Sequence, residues 1–248
     1  MLRPPRISST RPRPRLMNTN GLIMWEGSSP IDGAPIVCIV TGLAQSSAND
    51  KTGAMLQTWI LRQDVAPNVG YRDGSNVSVC GGCAHFVQKT CYVKWHQAPL
   101  SVWQCYKRGN YARLPDYSVL DGHDLRIGSA GDPFCIPETV WRECLAHARN
   151  HTGYTAQWRR KAAEPYRDFL QASCHGMRDY LDATAHGWHP YLVVEPGQSA
   201  PAGLTLCPAS AEAGHKTTCA ACHSCDGSTG GYYIPAHGNR RKAFTAIN

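Results

Sequence analysis

No apolar run in the sequence approaches the ~20 residues that a membrane-spanning helix needs. Charged residues are few, at 17% of the 248 residues, and the acidic ones are the minority, with 18 Asp and Glu against 25 Lys and Arg. The first residues also lack the apolar stretch of a secretory signal peptide. These absences argue against a helical membrane protein and an exported one. We therefore expect a soluble cytoplasmic protein with no membrane partner.

The beginning of the sequence differs in composition from the rest. Residues 1–16 contain five arginines and four prolines and few apolar side chains. Such a segment cannot bury enough apolar surface to fold by itself. We predict that residues 1–19 form a disordered basic tail, and Met17 is an alternative start that would leave residues 1–16 untranslated. The remainder, with 42% hydrophobic residues in the whole chain, is long enough to build a core.

Cysteine is the residue type that most needs an explanation, because the chain contains twelve of them. Disulfides are typical of short exported proteins and are not expected here. Seven cysteines fall into two groups. The first group is Cys80, Cys83 and Cys91, and the second group is Cys207, Cys219, Cys222 and Cys225. The other five stand singly among apolar neighbours, and we interpret them as small buried side chains: Cys38, Cys105, Cys135, Cys144 and Cys174.

The spacing within each group suits metal binding. Two cysteines separated by two residues can aim both sulfurs at one ion or cluster, and glycines between them ease the turn. The second group has the spacing C-x11-C-x2-C-x2-C, in which three cysteines at steps of three favour an iron–sulfur cluster. Four thiolates would also suit a structural zinc ion. Both metals therefore stay open.

The first group has only three cysteines, with the spacing C-x2-C-x7-C. Three protein ligands around a [4Fe-4S] cluster leave one iron open to a substrate or cofactor. The alternative is a zinc site closed by His85, His96 or Cys105. The sequence does not separate these two hypotheses.

Strand and helix patterns alternate between the two cysteine groups. Apolar runs and helical spacing predict strands at 55–62, 125–129, 153–157, 169–174 and 191–194, and helices at 99–110, from 137 and at 177–186. This alternation is typical of βα units around a parallel sheet. We predict an α/β fold, a parallel barrel or partial barrel over residues 20–200. A cysteine-rich metal-binding extension follows at 201–248.

The order of these elements resembles the opening of radical S-adenosylmethionine enzymes. A cysteine loop and a helix precede a strand that ends in Gly-Ser-Ala-Gly-Asp-Pro, residues 128–133. The resemblance implies that the first group holds a [4Fe-4S] cluster, and that Gly128, Gly131 and Asp132 contact S-adenosylmethionine. It also implies that the second group holds an auxiliary cluster. The chain has C-x2-C-x7-C where that superfamily usually has C-x3-C-x2-C, and Asp132 where it usually has Glu.

The chain also resembles uncharacterised proteins of bacteriophages and prophages over most of residues 20–230. That resemblance implies a host-cell cytoplasmic location and brings no established activity. Two functions are therefore predicted. The first is an iron–sulfur enzyme that needs an electron donor and acts on a nucleotide, nucleic acid or other substrate. The alternative is a non-catalytic zinc-binding protein that binds nucleic acid.

Overall fold

A computed structural model describes residues 20–47, 49–198 and 201–246, so the predicted basic tail at 1–19 lies outside the described residues. The strands are β1 Gly21–Ser28, β2 Pro35–Thr41, β3 Leu56–Arg62, β4 Ala112–Arg113, β5 Asp124–Ala130, β6 Asn150–Thr155, β7 Gln171–Cys174, β8 Pro190–Val194, β9 Thr205–Leu206 and β10 Tyr232–Pro235. The α-helices are α1 Pro67–Asp73, α2 Val77–Cys80, α3 Ala84–Val87, α4 Ala98–Lys107, α5 Glu138–His147, α6 Met177–Ala185 and α7 Cys219–Cys222. Short 3-10 helices lie at Tyr117–Leu120, Pro133–Cys135, Lys161–Tyr166, Ala211–Ala213 and Arg241–Ala243. No helix within the described ranges has the length and apolar character needed to cross a membrane.

The strands form one sheet of ten in the order β4-β1-β2-β3-β5-β6-β7-β8-β10-β9. From β3 to β10 each neighbouring pair is parallel, as is the pair of β10 with β9. β1 pairs with β2, and β2 with β3, in antiparallel fashion. The predicted α/β class is therefore confirmed, with a mostly parallel sheet that is compatible with a partial barrel.

The predicted elements between the cysteine groups are all present, with shifted ends. β3, α4, β5, α5, α6 and β8 fall within a few residues of their predicted positions. β6 begins at Asn150, three residues before its predicted start. β7 begins at Gln171, because Phe169 and Leu170 donate backbone hydrogen bonds to Tyr166 and so end the preceding 3-10 helix. Local turn hydrogen bonds override the apolar pattern at that point.

The sequence analysis did not find β1 and β2. β2 contains five consecutive residues, at 36–40, that are completely buried. It therefore lacks the alternation of apolar and polar side chains that marks a strand with one solvent-exposed face. An antiparallel pair therefore extends the parallel sheet at the β3 edge. The predicted parallel sheet did not include this antiparallel pair.

The two faces of the parallel strands meet different surroundings. On β5, Leu125 and Ile127 join a core that includes Trp141 and Cys144 of α5. The alternate residue, Arg126, lines a cavity on the opposite face. Because side chains alternate along a strand, each parallel strand gives one set to the helices and one set to the cavity.

The predicted single cysteines behave as expected. Cys38, Cys105, Cys135, Cys144 and Cys174 are all buried, and most belong with apolar neighbours in the helix-covered core. All twelve cysteines of the chain lie in the described ranges, and each is a free thiol. The prediction that the cysteines do not form disulfides agrees with this arrangement.

We expect Gly131→Ala to destabilise the protein more than Gly122→Ala. Both glycines have a positive φ, +81° and +74°, so either alanine carries left-handed strain of about 1–2 kcal/mol. A Cβ at residue 131 would also lie 2.5 Å from the carbonyl oxygen of Ile60, whereas a Cβ at 122 meets nothing within 4 Å. Urea unfolding should therefore show a lower free energy of unfolding for Gly131→Ala by at least ~1 kcal/mol. Equal free energies would contradict this packing.

Candidate functional site

Two cysteines of the first group lie on a tight turn after β3, and the third, Cys91, lies in the loop after α3. Cys80 ends α2, and Cys83 is the N-cap residue of α3. Gly81, between them, has φ +54°, a conformation that glycine adopts without strain. Its Cα also lies close to the Gln157 amide, because a Cβ there would be 2.4 Å from Oε1. The turn that the glycines were predicted to ease is therefore present.

Residues that directly follow three neighbouring parallel strands reach this turn. Asp132 follows β5, Gln157 follows β6 and His175 follows β7. The Gln157 side chain donates to the Cys80 carbonyl oxygen at 3.0 Å, and the Asp132 backbone N–H donates to the Val79 carbonyl oxygen at 2.6 Å. The first cysteine group is thus fixed at the carboxyl ends of the parallel strands, where α/β enzymes place their active sites.

The Asp132 carboxylate is buried and accepts hydrogen bonds within the protein. Oδ1 accepts from the Phe134 backbone N–H and the Thr155 hydroxyl, at 3.0 and 2.7 Å. Oδ2 accepts from the Ala156 backbone N–H at 2.8 Å and from Gln157 Nε2 at 3.5 Å. Burial raises the pKa of Asp132 above its usual value, although these hydrogen bonds oppose the rise. The geometry gives this carboxylate a structural task, and its contact with S-adenosylmethionine remains a prediction.

The two predicted glycines lie beside Asp132 at the end of β5. Gly128 and Gly131 both have positive φ, +71° and +81°. A Cβ on Gly128 would lie 2.9 Å from the Pro133 side chain, so both glycines are needed for the close turn. The positive φ angles and the close packing account for glycine at both positions, with no need for a bound ligand.

His175 is a residue of this site that the sequence analysis missed. It is buried, and its Nε2 lies 4.0 Å from the sulfur of Cys83. On the other side of the ring, Nδ1 is 3.7 Å from the Asp179 carboxylate, which also binds Arg159. Burial opposes a charge on His175, but Asp179 and Cys83 outweigh it and raise its pKa to about 9. Its position directly after a predicted strand was the signal that could have found it.

The residues predicted to close a zinc site at the first group have different surroundings. His85 Nδ1 lies 2.9 Å from the Thr90 hydroxyl, and its ring stacks on Phe244 at 4.6 Å between centroids. Burial lowers the pKa of His85 to about 3. His96 is exposed, and Cys105 is buried in α4 among core residues. Of these three, only His85 lies near the group, with its ring 5.1 Å from that of His175.

The cysteines of the first group influence one another's ionisation. Burial raises the pKa of Cys80 well above its usual value, and nearby Cys83 and Cys91 raise it further. Burial and Cys83 raise the pKa of Cys91 to about 12. A site with three thiols in mutual electrostatic range favours neutral thiols until a cation displaces their protons.

The second cysteine group lies at the opposite end of the parallel strands. The Cys219 backbone N–H donates to the Lys51 carbonyl oxygen, five residues before β3, at 2.8 Å. The Gly153 backbone N–H of β6 donates to the Cys225 carbonyl oxygen at 3.0 Å. Gln171, the first residue of β7, donates from its side chain to the carbonyl oxygen of Ser224. These bonds hold the cysteine-rich segment against the amino ends of the strands.

The sulfurs of the second group also share one environment. Burial raises the pKa of Cys219, and Cys207 and Cys222 raise it further. Burial raises the pKa of Cys225 to about 12, with Cys219 and Cys207 adding to the shift. The structure therefore brings Cys207, Cys222 and Cys225 within electrostatic range of Cys219.

A cavity of about 550 Å³ is lined by Cys219 of the second group and by His85, Tyr92 and Val93, which are close in sequence to cysteines of the first group. Cys80, Cys83 and Cys91 are not among its lining residues. Every strand of the parallel run contributes lining side chains: Gln57 and Trp59 from β3, Arg126 and Ser129 from β5, Tyr154 from β6, Ser173 from β7, Tyr191 and Val193 from β8, and Ile234 from β10. Strands lie about 4.8 Å apart, so β3 and β10 are roughly 24 Å apart in a flat sheet. Their shared cavity shows that the sheet curves around it.

The cysteines of both groups are suitable ligands for a metal that binds thiolates. Their side chains, however, do not point at one common position. Within residues 20–47, 49–198 and 201–246, no three His, Cys, Asp or Glu side chains are arranged so that they could hold a metal ion. Metal binding by these cysteines would therefore need deprotonation and rotation of the side chains, as coupled metal sites often do.

No family model, no curated protein and no solved structure matches the chain. The function is therefore inferred from the geometry of the site.

We expect Asp132→Asn to destabilise the protein. Both carboxylate oxygens of Asp132 accept hydrogen bonds, and the asparagine side chain replaces one of them with an NH2 group, which is a donor. Loss of bonds to a buried charged acceptor costs about 1.5–3 kcal/mol. Asp168→Asn is the matched control, since Asp168 is exposed and pairs with Arg142 across the surface. Thermal and urea unfolding should separate the two variants. Equal stability would show that the carboxylate does not tie these loops together.

Proposed function

We propose that the chain is an iron–sulfur enzyme, a divergent relative of radical S-adenosylmethionine enzymes, whose substrate occupies the cavity. The carrying observation is that the first cysteine group lies at the carboxyl ends of parallel strands that together line one 550 Å³ cavity. A purely structural metal site needs no cavity beside it. A cavity of this size falls within the usual range of small-molecule sites.

Residues of the chain would hold the cluster and fix its position relative to the sheet. Cys80, Cys83 and Cys91 would hold a [4Fe-4S] cluster whose remaining iron is open to a co-substrate. When bound, the cluster would supply one-electron reduction of S-adenosylmethionine, with the electron coming from a separate donor. Gln157 and Asp132 fix the cysteine turn against β5 and β6. The curved sheet shields the substrate from water.

The finer fold proposal is a partial barrel that the cysteine-rich extension completes. α7 binds the segment before β3 through the Cys219 and Ala220 backbone N–H groups, at 2.8 and 3.2 Å. The same extension contributes β10, which is paired with β8. It thus contacts both sides of the parallel run. Metal held by Cys207, Cys219, Cys222 and Cys225 would stiffen this contact, because a metal-bound segment cannot unfold without losing its ligand bonds.

The test is the metal content of two triple variants. Anaerobically purified wild-type protein should contain iron and sulfide and show visible absorbance. The first-group variant, with Cys80, Cys83 and Cys91 changed to Ala, should lose about half of the iron if both groups hold clusters of equal size. It should also lose cleavage of S-adenosylmethionine. The second-group variant, with Cys219, Cys222 and Cys225 changed to Ala, should lose the other metal and unfold more easily.

Cys144→Ala is the control, because Cys144 is completely buried in α5 and belongs to neither group. It should keep the wild-type metal content. Zinc without iron in wild-type protein would reject the iron–sulfur enzyme. Unchanged metal in both triple variants would reject both proposed sites.

A zinc protein is the second candidate, and His175 is the observation that favours it. Three cysteines and one histidine form a common structural zinc set, and a zinc-bound histidine usually donates from its other nitrogen to a carboxylate. His175 Nδ1 lies 3.7 Å from the Asp179 carboxylate, which is the group placed to take that role. Nucleic-acid binding finds less support. Arg159 belongs to a run of three basic residues at 159–161, and it is already paired with Asp179 and Asp182.

His175→Ala separates these candidates. The iron–sulfur proposal expects the variant to retain the iron of the first group, since three cysteines hold the cluster. A Cys3His zinc site would lose its metal. His186→Ala, at the exposed end of α6, is the matched control. Metal per folded chain is the measurement, and loss of metal from His175→Ala alone would decide for zinc.

A further inference from the structure

Arg126 is a buried cation in the wall of the cavity. It lies on β5 with an exposed fraction of 8%, and its side chain faces the cavity, whereas its neighbours Leu125 and Ile127 face the helices. The guanidinium lies over the ring of Tyr154, 4.6 Å from the centroid. Nη1 donates to the Thr152 hydroxyl at a long 3.4 Å. A guanidinium has five N–H donors, so most of its capacity is unused by these two contacts.

No carboxylate neutralises Arg126 among the residues that the structure describes. A buried charge costs several kcal/mol unless it is paired and hydrogen-bonded. Burial opposes the charge of Arg126, yet nearby tyrosines and cysteines keep its pKa raised. Cys219 and Cys225 lie within electrostatic range, but no hydrogen bond joins either sulfur to the guanidinium in the described ranges. The donors of Arg126 are therefore available to an anion in the cavity.

The other charges on the cavity wall have the same sign. Lys51 and Lys94 also line it, against one carboxylate, Glu212. Lys51 Nζ lies 5.9 Å from the centroid of the Tyr191 ring. Three cations against one anion make the cavity electropositive, and such a cavity attracts anions.

Aromatic side chains form much of the remaining wall. Trp59, Tyr154 and Tyr191 come from three different strands, and Tyr92 comes from the loop after Cys91. Flat apolar faces near a cation suit a ligand with a planar ring attached to an anionic group.

We propose that the cavity binds a small ligand whose phosphate or carboxylate group is held by Arg126 and Lys51 and whose planar part lies against the aromatic wall. Naming this ligand the substrate rests on the proposed function, but anion binding itself needs no metal. A phosphate accepts bidentate hydrogen bonds from a guanidinium as well as a carboxylate does. The shared chemistry is therefore a compact oxyanion.

The test is binding of adenosine monophosphate and benzoate, measured by calorimetry, with benzamide as the neutral probe. Wild-type protein should bind at least one of the two anions and not benzamide. Arg126→Gln should weaken that binding about tenfold or more, because charge-assisted hydrogen bonds are lost. Lys51→Gln should weaken it less, and it tests the site even if Arg126→Gln does not fold. Preference for one anion identifies the oxyanion as phosphate or carboxylate.

Arg178→Gln is the matched control, since Arg178 is exposed on α6 and outside the cavity wall. It should bind as the wild type does. Equal binding by wild type, Arg126→Gln and Lys51→Gln would overturn the proposal, as would the absence of anion binding by wild type. Metal content measured on the same samples separates failure of the anion-binding proposal from failure of the proposed iron–sulfur function. Loss of second-group metal from Arg126→Gln, with no change in anion binding, would show that Arg126 serves the cysteines instead.

Discussion

The hydrogen bonds around the Asp132 carboxylate hold together the end of the sheet on which the candidate site is built. They connect the turn after β5 with the residues after β6, and the Asp132 backbone N–H adds the helix that ends at Cys80. Gln157 repeats this connection through its bond to the Cys80 carbonyl oxygen. Three segments that are far apart in sequence are thereby fixed to within a hydrogen-bond length. The position of the first cysteine group depends on this network.

The interior of the curved sheet is chemically uneven. The cavity wall includes Cys219 of the second cysteine group and Arg126, which has no carboxylate partner in the described ranges. The faces that contact the helices are apolar and closely filled. A protein that needed only stability would fill the interior in the same way. The cavity and its charged wall are the features of the molecule that stability alone does not explain.

The sequence was most informative where a local pattern decides the structure. Apolar spacing located β3, α4, β5, α5, α6 and β8, and cysteine spacing identified both groups that the fold brings together. It failed at β2, whose residues are buried on both faces and so show no period. His175 was missed because its role comes from contact with Cys83, ninety-two positions away in the sequence. The charge on Arg126 was visible, but its burial was not, because only the curvature of the sheet creates it.

The bond between the Cys219 backbone N–H and the Lys51 carbonyl oxygen has a consequence for biosynthesis. The two residues are far apart in the sequence, so this contact cannot form until residue 219 has left the ribosome. Contacts between such distant residues also slow folding. Until then, the strands lack this cover, and chaperones would limit aggregation at this stage. A chain truncated before residue 219 would lack α7 and β10, and with them the contacts to the segment before β3 and to β8.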